Sequence, residues 1–323
     1  MRIAPFGVEQ WMNEYETRCA YNLAETCVES LTIAQLLDLV GYTGDLRDEL
    51  LPMKLTYGAI EGSERLRAAV AALYDQQTPA NTLITHGAIG ANHLVHMTLV
   101  EPGDRVVSVL PTYQQHYAIP ESIGADVRIL RLREDNAWLP DLDELREHVR
   151  GGAKLVAINN PNNPTGSLMD RAMLEEIAAI CDGAGAWLLC DEVYRGIDQD
   201  GPGSTTSVAD IYDRGISTGS MSKAFSLAGL RLGWAVGPAQ LIDELTIHRD
   251  YSTISVGMVD DLLAAIALEN ADAILDRNRA LTRANLATLS AWVGTQPHIS
   301  WVAPRSGTTA LLKHDLPMTS REL

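Results

Sequence analysis

The sequence predicts an α/β protein whose larger domain contains a mostly parallel β-sheet covered by helices on both faces. Between residues 83 and 236, short apolar runs alternate with helical patterns, as expected for parallel strands joined by crossover helices. The chain has 323 residues, 46% of them hydrophobic, which is enough for this domain and a smaller one. Polar, turn-forming segments follow two of the apolar runs, at the sheet edge where α/β proteins bind ligands.

Strands and helices are expected in the order in which these patterns occur. Short apolar runs predict strands at 82–85, 105–110, 127–132, 154–158, 186–191, 215–220 and 232–236. Stretches with apolar residues every three or four positions predict helices at 90–100, 142–149 and 171–183. After Pro238 the pattern changes to long amphipathic helices at 241–249, 257–268 and 271–292, and a last strand is predicted at 308–313.

This change of pattern divides the chain into three parts. We expect residues 1–45 to form an amino-terminal arm and part of a small domain, and residues 46–240 to form the large domain. Residues 241–323 are expected to form a connecting helix and the rest of a small α/β domain, which we predict to be incomplete at its carboxyl end.

Composition excludes several classes of partner. The formal charge of −17 opposes binding to nucleic acid, which requires clustered Lys and Arg to neutralise phosphates. No run approaches the roughly 20 apolar residues of a membrane span, and no signal peptide pattern opens the chain. We therefore expect a soluble, cytoplasmic protein without membrane or nucleic-acid partners.

The cysteines and histidines predict neither disulfides nor a metal site. The four cysteines, Cys19, Cys27, Cys181 and Cys190, lack paired spacing and are expected to be reduced core thiols. The eight histidines are scattered or lie beside apolar helix positions without nearby carboxylates.

A lysine and an arginine lie close together after the predicted strand at 215–220. Lys223 ends the segment Ser220-Met221-Ser222-Lys223, and Arg231 follows eight residues later. One turn can therefore carry an amine for a carbonyl adduct and a guanidinium for a phosphate. Taken alone, such a pair is equally compatible with solvated surface charge.

Two upstream segments favour the chemical interpretation. Asn159-Asn160-Pro161-Asn162-Asn163-Pro164-Thr165-Gly166 follows the apolar run at 155–158, and Asp191-Glu192-Val193-Tyr194 follows the run at 187–190. Both lie at the carboxyl ends of predicted buried strands. Asn-Pro-Thr-Gly, Asp-x-x-Tyr and Ser-x-Ser-Lys, in this order and with arginine eight residues on, resemble the class I/II aminotransferases of pyridoxal phosphate fold type I. The resemblance extends from Tyr57 to the end of the chain.

The resemblance implies pyridoxal 5′-phosphate as cofactor and a role for each motif residue. Lys223 would form the Schiff base and later move a proton at the substrate Cα, and Asp191 would keep the pyridine nitrogen protonated. Asn163 and Tyr194 would hydrogen-bond the ring's phenolic oxygen. From the residues alone, Asp191 could instead cap a helix and Asn163 could serve only as a turn former.

Phosphate binding is expected to have two halves. Ser220, Ser222 and Arg231 would supply hydroxyls and a guanidinium. Gly87, Ala88 and Ile89 open a helix after the first strand, where backbone amides can meet an anion, although many strand-to-helix turns have this pattern.

Two tyrosines complete the predicted site. The resemblance places Tyr113 where an aromatic side chain stacks on the cofactor ring, and a buried core tyrosine is the alternative. Tyr57 matches a segment that reaches the neighbouring subunit's phosphate, which implies a homodimer with shared active sites.

The predicted activity is transfer of an amino group between an amino acid and a 2-oxo acid. An alternative is a lyase or cyclase of the same cofactor class, because segments 6–12 and 22–27 are similar to enzymes of arginine-derived antibiotic precursors, the capreomycidine synthase subgroup. The stretch Asp198-Gln199-Asp200 could then contact a guanidinium or simply face water. A sensor domain without catalysis is a further alternative. Regulators of that kind carry a basic DNA-binding module, and no such module is found before Tyr57 in this sequence.

Overall fold

A seven-stranded sheet forms the centre of the protein, and the computed structural model describes residues 2–323. The strands are β1 (Thr82–Thr85), β2 (Arg105–Leu110), β3 (Asp126–Arg131), β4 (Leu155–Asn159), β5 (Trp187–Asp191), β6 (Gly215–Ser220) and β7 (Gly233–Val236). Their order across the sheet is β1-β7-β6-β5-β4-β2-β3. Strands β2 to β6 are parallel, and β7 alone runs antiparallel to both of its neighbours, β1 and β6. The mostly parallel sheet predicted from the sequence is confirmed.

Helices cover the sheet and continue into the last third of the chain. They are α1 (Gly7–Tyr15), α2 (Ile33–Leu39), α3 (Leu46–Leu50), α4 (Glu64–Ala71), α5 (Gly87–Leu99), α6 (Gln115–Ile123), α7 (Leu142–Val149), α8 (Arg171–Ala184), α9 (Ala239–Arg249), α10 (Met258–Leu268) and α11 (Ala271–Val293). Helix α5 begins three residues before its predicted start, because a first turn containing Gly87 carries little apolar periodicity. The side chains of Asp141 and Asp170 accept backbone N–H groups at the starts of α7 and α8 and so fix both boundaries.

Two apolar layers hold the sheet between its helices. On one face, Leu83, Val106, Leu155 and Ile216 pack with residues of α5 and α9. On the other face, Val107, Val156 and Leu188 pack with residues of α7 and α8. Because both faces are covered, the parallel strands are apolar along most of their length, and polar side chains gather at their ends.

The carboxyl ends of β4, β5 and β6 lie level with one another. Asn159 pairs with Asp191, and Asp191 pairs with Thr218, so the polar segments that follow these strands open at one edge of the sheet. This register places the two sequence motifs and the Lys223 segment side by side.

The carboxyl-terminal part contains a second, two-stranded sheet. It pairs β8 (Ile299–Trp301) with β9 (Leu312–His314) in antiparallel fashion. The predicted strand at 308–313 was therefore wrong for its first four residues. Thr308 lies outside the strand and donates from its hydroxyl to the carbonyl of Thr26 at 2.6 Å, which draws this part of the chain toward the sheet edge instead.

The cysteine prediction holds for only two residues. All four thiols are free, and Cys181 and Cys190 are buried, but Cys19 is exposed and Cys27 is half-buried. Cys27 lies in the amino-terminal segment, outside the apolar layers, where it contacts Lys223. Among residues 2–323, no helix combines the length and apolar character required to cross a bilayer.

Candidate active site

Asp191 lies at the end of β5, buried with 4% of its surface exposed. Its Oδ2 accepts the side-chain amide of Asn92 at 2.8 Å, and its Oδ1 accepts the backbone N–H of Val193 at 3.2 Å. The imidazole Nε2 of His116 lies 3.6 Å from Oδ2. No lysine or arginine pairs with this carboxylate within the part of the chain that the structure describes. A buried carboxylate requires such a partner, so the site is suited to a bound cation.

Asn163 is held beside Asp191 by an asparagine that the sequence analysis did not single out. The Asn159 side chain donates to the backbone carbonyl of Asp191 at 2.8 Å and accepts the backbone N–H of Asn163 at 2.7 Å. The turn that carries Asn163 is thereby fixed to the end of β5.

Tyr194 follows the same strand and is buried, yet its hydroxyl has no hydrogen-bond partner within residues 2–323. Burial raises the pKa of Tyr194 above its ordinary value, although the neighbouring Thr26 and Thr308 hydroxyls oppose the rise. The phenol therefore stays protonated, and its O–H can donate to an acceptor placed in the site.

Lys223 lies in the loop after β6, half-buried. The backbone N–H of Ala224 donates to the carbonyl of Val193 at 3.2 Å, so this loop is joined to the turn between Asp191 and Tyr194. The Asn278 side chain of α11 also holds this loop, since it donates to the carbonyl of Ala224 at 2.8 Å. The structure thus brings the predicted lysine, aspartate and tyrosine to one edge of the sheet.

The two predicted halves of a phosphate site meet at the start of α5. A Cβ atom on Gly87 would lie 3.4 Å from Nη2 of Arg231, so the guanidinium faces the first turn of the helix. Ser220 and Ser222 are buried nearby in the loop after β6, where Ser220 Oγ accepts the Ser222 N–H at 3.2 Å. Ala88 is buried, and Ile89 is 41% exposed.

Gly233 permits this close approach of backbones. A Cβ atom at Gly233 would lie 2.3 Å from the carbonyl carbon of Gly87 and 2.4 Å from the amide nitrogen of Ala88. Strand β7 can therefore run against the first turn of α5 only because position 233 has no side chain.

Tyr113 and Tyr57 lie in different surroundings. Tyr113 is half-buried, stacks against Phe6 with ring centroids 4.8 Å apart and donates to Glu9 Oε1 at 2.7 Å. Burial and this hydrogen bond raise the pKa of Tyr113. Tyr57 is 74% exposed.

Sequence analysis missed the residues that support these groups. Asn92, one turn into α5, accepts the Thr218 hydroxyl at 2.7 Å and links it to Asp191. Thr26 and Cys27 contact Lys223 from a segment almost two hundred residues away. A buried asparagine on an apolar helix could have signalled the first, whereas no pattern in the sequence signals a contact of such separation.

The acidic stretch at 198–200 has a structural role. Asp198 is buried and accepts the Ser306 hydroxyl at 2.7 Å, and Gln199 donates from its side chain to the carbonyl of Gly307 at 2.9 Å. Asp200 faces water. The first two residues therefore hold the segment before β9 to the loop that follows Tyr194.

Comparison with known proteins agrees with this geometry. A family model described as aminotransferase class I and II matches residues 51–308. The chain belongs to this aminotransferase family. The resemblance predicted from the motifs is therefore confirmed, and pyridoxal phosphate is the cofactor.

Individual relatives include a synthase, an aminotransferase and a cyclase. Capreomycidine synthase from Streptomyces vinaceus is 34% identical over 304 residues, which span 94% of this chain and 78% of that enzyme. A crystal structure of a PLP-dependent aminotransferase from Streptococcus suis has a TM-score of 0.95 and 42% identity, over 100% of this chain and 86% of that one. The PLP-dependent cyclase OrfR has a TM-score of 0.87 and 28% identity, over 95% and 80%.

The residues of this aminotransferase fit the cofactor. The buried Asp191 carboxylate lacks a cationic partner among residues 2–323, and the buried Tyr194 hydroxyl has no acceptor there. A pyridinium and a phenolic oxygen would satisfy both. At the start of α5, the backbone amides and Arg231 suit a phosphate dianion.

Proposed function

We propose that this chain transfers amino groups between an amino acid and a 2-oxo acid, with Lys223 as the residue that binds the cofactor covalently. The observation that carries the proposal is the buried Asp191 carboxylate, unpaired by lysine or arginine within residues 2–323, at the strand end next to the Lys223 loop. A carboxylate in that position is suited to a cationic ring, and an amine beside it is suited to an aldehyde.

Each predicted residue receives a task in this proposal. Bound pyridoxal phosphate supplies an electron-withdrawing ring that stabilises negative charge on the substrate Cα. Asp191 holds a proton at the ring nitrogen, and Asn163 and Tyr194 donate to the ring's phenolic oxygen. When Lys223 Nζ is not bonded to the cofactor, it takes a proton from the substrate Cα and returns it to the cofactor carbon.

Other side chains bind and orient the cofactor. Ser220, Ser222 and Arg231 bind the phosphate together with the amides of Gly87, Ala88 and Ile89. Tyr113 packs against the ring, and its own position is fixed by Phe6 and Glu9.

Covalent trapping tests the proposal. Borohydride reduction of the holoenzyme should fix the cofactor on the peptide that contains Lys223, and mass spectrometry of the digest identifies the site. Lys223→Ala should lose both this label and transfer activity, because no other amine lies at that position. Lys313→Ala is the matched control, because Lys313 pairs with Glu134 on the surface. This variant should keep the label on Lys223. Labelling that persists in Lys223→Ala would refute the assignment.

We infer that the active enzyme is a cytoplasmic homodimer whose subunits share their active sites. Support comes from an apolar dimer face formed by Leu55, Tyr57, Tyr251 and Ile254, with exposed fractions of 89%, 74%, 92% and 40%. Two segments, 55–57 and 251–254, form this face. Arg249 lies just before the second segment and donates to the carbonyl of Ile60, just after the first, and to that of Ile84. Within each subunit of this dimer, we propose an amino-terminal arm at 1–45, a large domain at 46–240 and a small domain at 241–323.

A second candidate activity is cyclisation or elimination on a guanidinium-bearing amino acid. Two carboxylates favour it: Glu9 accepts from Tyr113, and Glu25 lies near Lys223. Burial opposes the ionisation of Glu25, but hydrogen bonds from Cys27 and the charge of Lys223 lower its pKa overall. An ionised carboxylate can bind a guanidinium and repels an acidic side chain.

A panel of amino acids separates the two candidates. The enzyme is incubated with each amino acid, with and without 2-oxoglutarate or pyruvate, and products are identified by mass. Exchange of amino groups that requires the 2-oxo acid supports transfer. A cyclic product or ammonia formed without an acceptor supports the second candidate.

A further inference from the structure

The amino-terminal segment supplies the polar partners of Lys223. The Nζ atom donates to Thr26 Oγ1 at 2.5 Å and lies 3.3 Å from Cys27 Sγ. These contacts span 197 and 196 positions of the sequence. Neither residue belongs to the motifs that identify the family, so their presence at the amine calls for an explanation from the site itself.

The segment is anchored on both sides of this contact. The Thr308 hydroxyl donates to the carbonyl of Thr26 at 2.6 Å, and the backbone N–H of Cys27 donates to Glu25 Oε1 at 2.8 Å. Val28, the next residue, is buried with 6% of its surface exposed. Thr26 and Cys27 are thus held at a fixed distance from the amine.

Both side chains are neutral groups that can accept and donate. Burial raises the pKa of the Cys27 thiol, although the charge of Lys223 opposes this, so the thiol keeps its proton at neutral pH. A hydroxyl and a thiol can orient an amine in either protonation state. A carboxylate at the same distance would favour the ammonium form, which cannot accept a proton. The nearby Glu25 carboxylate is instead bound by the Cys27 N–H, and Thr26 and Cys27 make the direct contacts with the amine.

We propose that Thr26 and Cys27 hold the side-chain amine of Lys223 during the stage of the reaction in which it is not bonded to the cofactor, and so position it for proton transfer. This inference rests on the proposed function. Thr26 and Cys27 are positioning residues, because they act through Lys223.

The first test measures the amine directly. In cofactor-stripped enzyme, the rate at which trinitrobenzenesulfonate labels Lys223 is followed by peptide mass. The double variant Thr26→Val, Cys27→Ala should label about fivefold faster, the effect expected from the loss of about one hydrogen bond. Thr26→Ser retains the hydroxyl and should label at the wild-type rate.

The second test uses the thiol as a reporter. The positive charge of Lys223 beside Cys27 favours the thiolate, which is the form that iodoacetamide alkylates. Because Lys223→Gln removes this charge, alkylation of Cys27 at pH 8 should slow about threefold or more. Lys313→Gln, a surface lysine paired with Glu134, should leave the alkylation rate unchanged.

The third test separates positioning from substrate binding. In the holoenzyme, Thr26→Val should lower kcat about fivefold with little change in KM, because a misplaced amine slows proton transfer without removing a substrate contact. Thr26→Ser should restore kcat.

The outcomes are distinguishable from failure of the proposed function. If borohydride fixes the cofactor on Lys223 but the labelling rate, the alkylation rate and kcat are unchanged in the variants, the inference about Thr26 and Cys27 is overturned and the proposed function stands. If borohydride fixes no cofactor on Lys223, both are overturned. The Thr26→Val and Lys223→Gln enzymes retain the test if the double variant fails to fold.

Discussion

Asp191 receives its hydrogen bonds from residues that do not contact the proposed substrate. Asn92 lies between Thr218 and Asp191 and uses its carbonyl for one and its amide for the other. His116 approaches the same oxygen, Oδ2, at 3.6 Å, and its ring centroid lies 5.8 Å from that of His96. Burial lowers the pKa of His96 well below its ordinary value, so this residue adds no positive charge. Asn92 therefore supplies the side-chain hydrogen bond that orients Asp191, and the Val193 N–H holds the other oxygen.

Replacing Asn92 tests this dependence. Asn92→Ala should lower the free energy of unfolding by about 1.5–3 kcal/mol, since it removes a hydrogen bond to a buried charged group. It should also slow the first half of the transfer reaction, in which the amino acid gives its amino group to the cofactor, because Asp191 loses its fixed orientation. Urea unfolding and stopped-flow absorbance measure the two effects. Thr218→Val removes only the outer bond and should cost less; equal effects of the two variants would contradict this chain of contacts.

Glu192, next to Asp191, predicts a dependence of stability on pH. Its carboxylate is buried and accepts Ser207 and Ser217 hydroxyls at 3.0 and 2.8 Å. Burial raises the pKa of Glu192 above 4.5, with the charge of Arg195 opposing the rise. The folded state therefore binds this proton more tightly than the unfolded state does. The resulting stabilisation is complete below pH 4.5 and is lost as the pH rises through the folded-state value.

The comparison with Glu192→Gln isolates this effect. As the pH rises above 4.5, the wild-type free energy of unfolding should fall relative to that of Glu192→Gln and then level off. Denaturant unfolding at a series of pH values measures the difference. Glu244→Gln, an exposed change on α9, is the control and should show no such trend. A difference that grows in the opposite direction would exclude Glu192 as the cause.

At the scale of elements, the contact of β7 with the first turn of α5 is a tight constraint on the site. Gly233→Ala should cost about 1–3 kcal/mol or more, because its methyl group would overlap backbone atoms of Gly87 and Ala88. Cofactor affinity should fall as well, since the turn that faces the phosphate would move. Thermal unfolding and cofactor titration provide the measurements.

Gly229, in the turn four residues before Gly233, offers a matched control. A Cβ atom there would meet nothing within 4 Å, so Gly229→Ala should leave stability and cofactor affinity near wild type. If Gly233→Ala behaved like Gly229→Ala, the close approach of the two backbones would not be what requires glycine at 233.

The elements themselves could be predicted closely because their patterns are local. Strands β1, β2 and β6 and helix α7 have their predicted bounds, since apolar runs and capping residues define them. The strand at 308–313 was misplaced because Thr308 is drawn away by Thr26, a tertiary contact that leaves no periodic signal. The roles of Asn92, Thr26 and Cys27 escaped for the same reason, whereas the motif residues were found because strand ends gather at one edge.

At the scale of the whole molecule, assembly into a dimer is the main prediction. Leu55→Asp with Tyr251→Asp should raise the dimer dissociation constant about tenfold or more, because charge would enter a buried apolar face. Sedimentation velocity follows the monomer fraction. Cofactor affinity should fall with it, since Tyr57 would no longer reach the partner's phosphate site.

The control for the dimer lies on another surface. Trp292 is 46% exposed near the end of α11 and is not one of the residues of the proposed dimer face, so Trp292→Asp should leave the sedimentation profile unchanged. A double variant that sediments like the wild type would place the subunit contact elsewhere.

The contact between Thr26 and Lys223 also has a consequence for protein synthesis. The ribosome releases Thr26 long before it makes Lys223, and Thr308, which holds the Thr26 carbonyl, is translated later still. The nascent segment around Thr26 must therefore wait without its final partners while the following 282 residues are made. Lys223 acquires its full environment only after Thr308 has been made.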